Sequence, residues 1–306
     1  MVATPIGNLG DLTPRAAEAL ATADLVLCED TRHTARLLQH LGLRKTCWSL
    51  HAHNETQQVP GVLQRLAEGA QVAMVSDAGT PCLSDPGARL VAAVHDAGHR
   101  VESVPGPFAA AVALASSGLT PIPFAFWGFL PKKQGERHAR LRETLKCAPG
   151  REPMTHAFYA PGRDLRDVVE DLQAIVPRAL AVMSRELTKV HEGHLRGTPA
   201  EILSLLRDEM LRGEAVVLVE VGPDTEADAA AAVQDPAALV QAARAAGRNR
   251  KEALKAIGQA TGVSRRVLYG LWLAEGGADE AGGESTEGQV LPLSPFERGK
   301  TPKIAQ

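Results

Sequence analysis

The chain has 306 residues, 44% of them hydrophobic and 4% aromatic, enough for two compact domains and an appendage. A net charge of −3 and a pI of about 6.4 exclude a protein that is basic throughout, so any nucleic-acid contact has to come from a local patch. Four scattered cysteines without a C-x-x-C pair argue against a zinc site or disulfide framework, and no apolar run reaches the roughly 18 residues of a membrane span. A soluble protein of a reducing cytoplasm, with no metal, is expected.

The chain opens on Val2-Ala3, a short strand, followed by Thr4-Pro5-Ile6-Gly7-Asn8-Leu9-Gly10-Asp11. Thr13-Pro14 then starts a helix over 14–22, and an apolar run at 25–28 reads as a strand. That strand delivers Glu29-Asp30-Thr31-Arg32 to its carboxyl end, ahead of a helix over 34–41 with Thr31 as its candidate cap. Carboxylates there can accept hydrogen bonds from a substrate hydroxyl or a ligand ammonium; a plain N-cap with a local Asp–Arg pair accounts for them equally well. A strand over 46–50, a helix over 59–68 and a strand over 72–75 follow.

After 72–75 comes a second dense loop, Ser76-Asp77-Ala78-Gly79-Thr80-Pro81-Cys82-Leu83-Ser84-Asp85-Pro86-Gly87. Pro presets φ and withholds an N–H, while Gly permits φ > 0 and close backbone approach. Two such rigid loops at strand ends are candidate walls of a ligand site, because open α/β sheets bind ligands outside the carboxyl ends of their strands. A helix over 88–96 and a strand over 100–104 lead to Pro105-Gly106-Pro107-Phe108-Ala109, where a helix of small residues begins and a flat ligand can come close.

Turn residues at 117–123 interrupt the alternation and divide a first α/β domain, 1–117, from a second, 118–222. The second has strands over 124–129, 155–159, 179–183 and 215–221 and helices over 165–175 and 199–210. Thr198, Pro199 and Glu201 form a capping box with Pro at N1. Ser184-Arg185-Glu186-Leu187-Thr188-Lys189 is a polar cluster at a strand end, with Arg185 and Lys189 suited to phosphate. An acidic Ala-rich linker over 224–235 precedes three short helical segments, 236–246, 250–258 and 264–273. Together these make a small helix-turn-helix-like domain, 236–273, carrying Arg244, Arg248, Arg250, Lys251, Lys255, Arg265 and Arg266. The tail, 274–306, has little to bury and is expected to be disordered.

There is no G-x-x-x-x-G-K-[ST] loop, no G-x-G-x-x-G after a strand, no H-E-x-x-H and no G-x-S-x-G. What the chain does have, in order and spacing, is Thr4–Asp11, Glu29–Arg32, Ser76–Gly87, Pro105–Pro107, Gly128-Phe129-Leu130-Pro131 and Ser184–Lys189. In these it resembles the ribosomal small-subunit RNA (cytidine 2′-O)-methyltransferases of the tetrapyrrole-methylase-like superfamily, over essentially residues 2–222. The helical segment resembles the small C-terminal domain of many members.

The resemblance implies a two-domain α/β fold with S-adenosylmethionine in the cleft between the domains, a homodimer, and a cytidine ribose in the decoding region of small-subunit ribosomal RNA as acceptor. Carried over residue by residue, the cofactor site draws on Pro5, Ile6, Leu9, Asp77, Gly79, Thr80, Leu83, Pro105, Gly106, Ala109, Tyr159 and Ala160. Glu29 and Arg32 are substrate-side candidates. Asp30 or Glu186 is the candidate proton acceptor, with Arg185 and Lys189 holding flanking phosphates. Two departures stand out: relatives carry more apolar residues ahead of the first motif, and Phe108 stands where they commonly have Ser, so its ring is expected to reshape the pocket. A tetrapyrrole C-methyltransferase, or an RNA-binding assembly factor without catalysis, are the alternative readings.

Overall fold

The computed structural model describes residues 1–146, 152–222, 236–261 and 263–274. These fall into two compact units that divide near Pro236, and both sheets lie in the first. The linker over 224–235, Cys147 and the tail beyond Ala274 lie outside the described residues.

The first sheet is built from β1 (Leu25–Cys28), β2 (Thr46–Ser49) and β3 (Val72–Met74), all parallel, in the order β2-β1-β3. Alternation along the central strand sorts the core: Val26 and Cys28 face α1 (Pro14–Thr22) and α2 (Thr31–His40), while Leu25 and Leu27 face α3 (Glu55–Ala67) and α4 (Ala88–Asp96). Thr13 caps α1 through Ala16 N–H. The cap of α2 is Asp30, not Thr31, which is the first helical residue.

The strands expected at Val2-Ala3 and over 100–104 shrink to one bridge between Val2 and Val104. Pro5, Pro105 and Pro107 have no N–H to extend a ladder, and Thr4 turns to pair with Gly79 instead. Val2 and Ala3 are nonetheless buried, and Val2 N–H donates to Met74 O at 2.9 Å, so the segment closes the edge of the sheet beside β3.

The second sheet runs β4-β5-β8-β6-β7, with β4 (Phe124–Phe129), β5 (Met154–Pro161), β6 (Leu180–Arg185), β7 (Gly193–Gly197) and β8 (Glu214–Val221). Only β4 and β5 pair in parallel; β8 is antiparallel to both neighbours. One face packs on α6 (Gln134–Thr144), α7 (Leu165–Ile175) and α8 (Pro199–Leu205), around Phe158, Met183 and Val217. The other face packs on α5 (Ala109–Ser117) through Ala110, Ala113 and Leu114. So α5, which the sequence groups with the first domain, lies against the second sheet.

The expected capping box is present at Thr198 and Glu201, although α8 stops at Leu205, short of 210. Two elements were not anticipated. α6 hides its signal because its buried positions include Arg137 and Thr144 beside Leu141, so no apolar stripe marks it. β7 is a polar edge strand, Gly-His-Leu-Arg-Gly, held by its hairpin to β6.

In the second unit the three basic segments are helical: α9 (Pro236–Ala245), α10 (Arg250–Thr261) and α11 (Arg265–Ala274). Val240, Ala243, Ala253, Leu254, Ile257 and Leu268 form its core. Arg248, Lys251, Lys255 and Arg266 are exposed.

Candidate active site

Three loops of the first lobe are stitched together by hydrogen bonds to backbone. Thr4 and Gly79 exchange N–H···O bonds at 2.9 and 3.0 Å. Thr4 Oγ1 donates to Ser76 O (3.1 Å), Ser76 Oγ to Gly79 O (3.0 Å) and Thr80 Oγ1 to Pro107 O (3.0 Å). Gly79 sits at φ +87°, and a Cβ there would press on Ile6 and the Pro107 carbonyl, so the close approach requires glycine. The far end of the second loop is anchored by buried Glu55, whose Oε1 accepts from Gly87, Arg89 and Leu90 N–H at 3.1, 2.8 and 3.1 Å. Glu55, on α3, thereby supplies the anionic cap that α4 lacks locally.

The opposing wall is the β6–β7 turn. Glu186 and Thr188 adopt φ of +50° and +65°, sparsely populated for residues with a Cβ, and Glu192 Oε2 accepts from Thr188 N–H at 2.6 Å. Gly7 of the first loop lies directly against this turn: a Cβ on it would come within 2.6 to 2.8 Å of Lys189, Leu187 O and Thr188 Oγ1.

Between these walls is a cleft of about 340 Å³, at the carboxyl ends of β1, β3, β4, β5 and β6 and the start of β8. Of the residues the sequence nominated, Ile6, Glu29, Asp77, Gly79, Thr80, Leu83, Ala109, Tyr159, Glu186 and Lys189 line it. Pro5, Leu9, Pro105, Gly106, Ala160, Asp30, Arg32 and Arg185 do not. Strand parity explains two of these. Tyr159 faces the α5 side, so Ala160 must face the opposite core under α7. Likewise Glu29 turns to the cleft while Asp30 caps α2. Leu9 is 48% exposed, and Gly106 is closed against Ala3 behind the loops.

Asp30, one of the two candidate proton acceptors, is placed outside the cleft, as the cap of α2. Its carboxylate is taken up by Arg32, at 2.8 Å to the backbone N–H and 3.1 and 2.8 Å to the guanidinium, and these bonds hold it at about 2. An exposed carboxylate so low and so engaged makes a poor proton acceptor.

Sequence reasoning did not single out Ser84, Asp85, Phe129, Leu187 and Glu214 as lining residues. Ser84 and Asp85 were in plain view inside the second motif, but nothing distinguished them from loop carboxylates and hydroxyls at large. Phe108 does shape the pocket, edge-on to Phe126 at 5.1 Å, and Phe126 and Phe129 both meet Tyr159, at 4.8 and 5.3 Å. Glu214 carries no motif and arrives only through the pairing of β8.

The charge of the cleft is one-sided. Among the described residues, Glu29, Asp77, Asp85, Glu186 and Glu214 line it against a single cation, Lys189, which pairs with Glu186 at 3.0 Å. Burial first, then Glu29, Asp77 and Glu214, push the Asp85 carboxyl up to about 6. Burial and the Asp77 charge raise Glu29 as well, and burial pushes the Tyr159 phenol up to about 12. Among the described residues no cluster of His, Cys, Asp and Glu is arranged to hold a metal ion, and no helix is long and apolar enough to cross a membrane.

Residues 1–203 match the family described as tetrapyrrole (corrin/porphyrin) methylases. The chain is 41% identical over 278 residues to "Ribosomal RNA small subunit methyltransferase I" of Xylella fastidiosa, covering 88% of this chain and 97% of the relative. It is 41% identical over 273 residues to the protein of that name from Escherichia coli O157:H7, covering 88% and 92%. Among solved structures, the methyltransferase CobJ aligns with a TM-score of 0.50 and 24% identity over 73% of this chain and 98% of that one, a likeness of fold. The loops that build the cleft are the same stretches in which the sequence resembled that group, and on the match across 1–203 and these relatives the chain belongs to the tetrapyrrole (corrin/porphyrin) methylase family, among its ribosomal RNA small subunit methyltransferases I.

Proposed function

We propose that this chain transfers the methyl group of S-adenosylmethionine to the 2′-hydroxyl of a cytidine ribose in the decoding region of small-subunit ribosomal RNA, acting as a cytoplasmic homodimer. The names of its relatives support RNA as the acceptor, and the cleft supports the cofactor. S-adenosylmethionine carries an ammonium and a sulfonium beside its own carboxylate, a net single positive charge, and the carboxylates of Asp77, Glu29 and Glu214 suit its two cationic groups. Ile6, Leu83, Ala109 and Val216 offer apolar contact to a flat base, and the Gly79 backbone lets it come close. The cofactor supplies an activated methyl group; the protein's residues orient it and the acceptor and exclude water.

The observation that carries the choice of acceptor is the charge of the cleft. Five carboxylates facing one lysine repel a polycarboxylate tetrapyrrole but accept a neutral ribose hydroxyl whose phosphates stay outside. A nucleotide splayed from a structured RNA meets that requirement. Radiolabelled methyl transfer to undermethylated small subunits, followed by mapping, tests the reading: label on a cytidine ribose is expected, and transfer to precorrins instead would overturn it.

The basic face of the helical unit is our candidate for holding RNA. Replacing Arg248, Lys251, Lys255 and Arg266 by glutamate is expected to weaken RNA binding at least tenfold and flatten its salt dependence, with S-adenosylmethionine affinity unchanged. Filter binding across a salt series, alongside calorimetry of the cofactor, reads both. Undiminished RNA binding would place the RNA contact elsewhere.

A further inference from the structure

We propose that the carboxylate of Asp85 is the proton acceptor for the ribose hydroxyl during methyl transfer; the proposal rests on the acceptor being a ribose 2′-hydroxyl. As the 2′-oxygen bonds to the methyl carbon, the carbon–sulfur bond breaks and its electron pair stays on sulfur, giving a neutral thioether. The hydroxyl proton passes to a carboxylate oxygen of Asp85 and then to water, so the carboxylate is restored.

The cleft itself selects Asp85 among its carboxylates. Asp77 Oδ1 is engaged by Asp30 N–H at 3.1 Å, and Glu186 is paired with Lys189. Glu29 and Glu214 are exposed. Asp77 and Glu186 are half-buried but engaged; Asp85 is half-buried too, and among the described residues it has neither a hydrogen-bond donor nor a cation on its carboxylate. Its position is rigid: Ser84 before it is fixed at φ +72°, Pro86 follows, and Gly87 is tied to Glu55. Ser84 in turn lies against Gly128, at the bulge of β4, where a Cβ would come within 2.9 Å of its Oγ. The second lobe thus closes on the segment that carries Asp85, and Tyr159 and Glu214 of that lobe line the same cleft.

Burial first, then the charges of Glu29, Asp77 and Glu214, with no donor on the carboxylate and Lys189 turned to Glu186, push the Asp85 carboxyl up to about 6, near working pH. General-base efficiency is greatest there, because the group is still ionised yet basic enough to take a proton.

The test compares wild type with Asp85→Asn, which keeps the volume and removes one charge from a crowded acidic site. Three quantities are read: S-adenosylmethionine affinity by calorimetry, single-turnover methyl transfer to undermethylated small subunits between pH 5 and 8, and the Asp85 carboxyl titration by carbon NMR, identified by its disappearance in the variant. Expected are a bound cofactor in both proteins, a transfer rate at least 100-fold lower in the variant, and a wild-type rate that falls as pH drops through the pH at which the NMR signal titrates, near 6. Asp85→Asn within threefold of wild type, or an Asp85 signal titrating near 4 with no matching limb in the rate, overturns the assignment while leaving the substrate intact. A wild-type enzyme that methylates no ribose overturns the substrate reading, and the assignment falls with it.

Discussion

Asp171→Ala is expected to destabilise the two-lobed unit by about 3–5 kcal/mol, the range for breaking a buried ion pair from one side. Asp171 is 2% exposed on α7 and accepts from Arg137 Nε and, at 2.6 Å, from His138 on α6. Arg137 is itself 3% exposed; without Asp171 its remaining partners are the Lys132 carbonyl at 3.1 Å and the Asp167 carboxylate at 3.7 Å. The variant strands a guanidinium between two helices, and water cannot reach it to compensate. For a unit of this size the loss corresponds to a fall of about 8–15 °C in melting temperature. The double variant Arg137→Leu/Asp171→Leu, which removes both charges, is expected to recover most of it. Thermal melts of the three proteins decide: a single variant within 1 kcal/mol of wild type would mean that Asp167 or a rearranged α6 takes over.

The second large effect is at Glu55. One carboxylate oxygen accepts three backbone N–H groups at the start of α4, those of Gly87 and Leu90 in buried surroundings. A hydrogen bond to a charged group contributes about 1.5–3 kcal/mol, and an abandoned buried donor costs about as much. Glu55→Ala is therefore expected to lower stability by about 3 kcal/mol and cofactor affinity at least tenfold, because the Asp77–Gly87 loop loses its downstream anchor. Glu55→Gln keeps an acceptor oxygen without the charge and should fall between. Chemical denaturation and calorimetry check the two effects; unchanged affinity in the alanine variant would show that the stitching at Thr4, Ser76 and Thr80 holds the loop alone.

How much of this was legible beforehand depended on whether an element advertises its buried face. α1, α4 and α7 were placed to the residue because their apolar positions recur at helical spacing and each starts or stops at a marked boundary. α6 was invisible for the opposite reason: beside Leu141, its contacts with α7 are charged ones, Arg137 and His138 with Asp171, and periodicity analysis counts such residues as surface. The two glycine- and proline-rich loops were recognisable as site walls, since their backbone demands are written in residue type. Side-chain aim was not recoverable in the same way. Whether Glu29 or Asp30, Tyr159 or Ala160, faces the cleft depends on strand parity, which shifts with a single residue of register. Asp85 and Glu214 lie far apart in the chain and meet only because β8 inserts between β5 and β6. That the family's motifs are so dense made the chain's membership readable while the charge pattern of its cleft stayed hidden.

The first lobe holds its three loops with main-chain pairs and with hydroxyls given to carbonyls, so what it preserves is a path of backbone rather than a set of identities. Such a seat tolerates drift at most side chains as long as its glycines and prolines stay. The opposite wall is a set of individual side chains, Glu186, Lys189 and Glu214, each replaceable without disturbing that path. The two halves are in this sense separately inheritable: a descendant could keep the donor's seat untouched and acquire a new acceptor by altering a handful of positions on β6, its turn and β8.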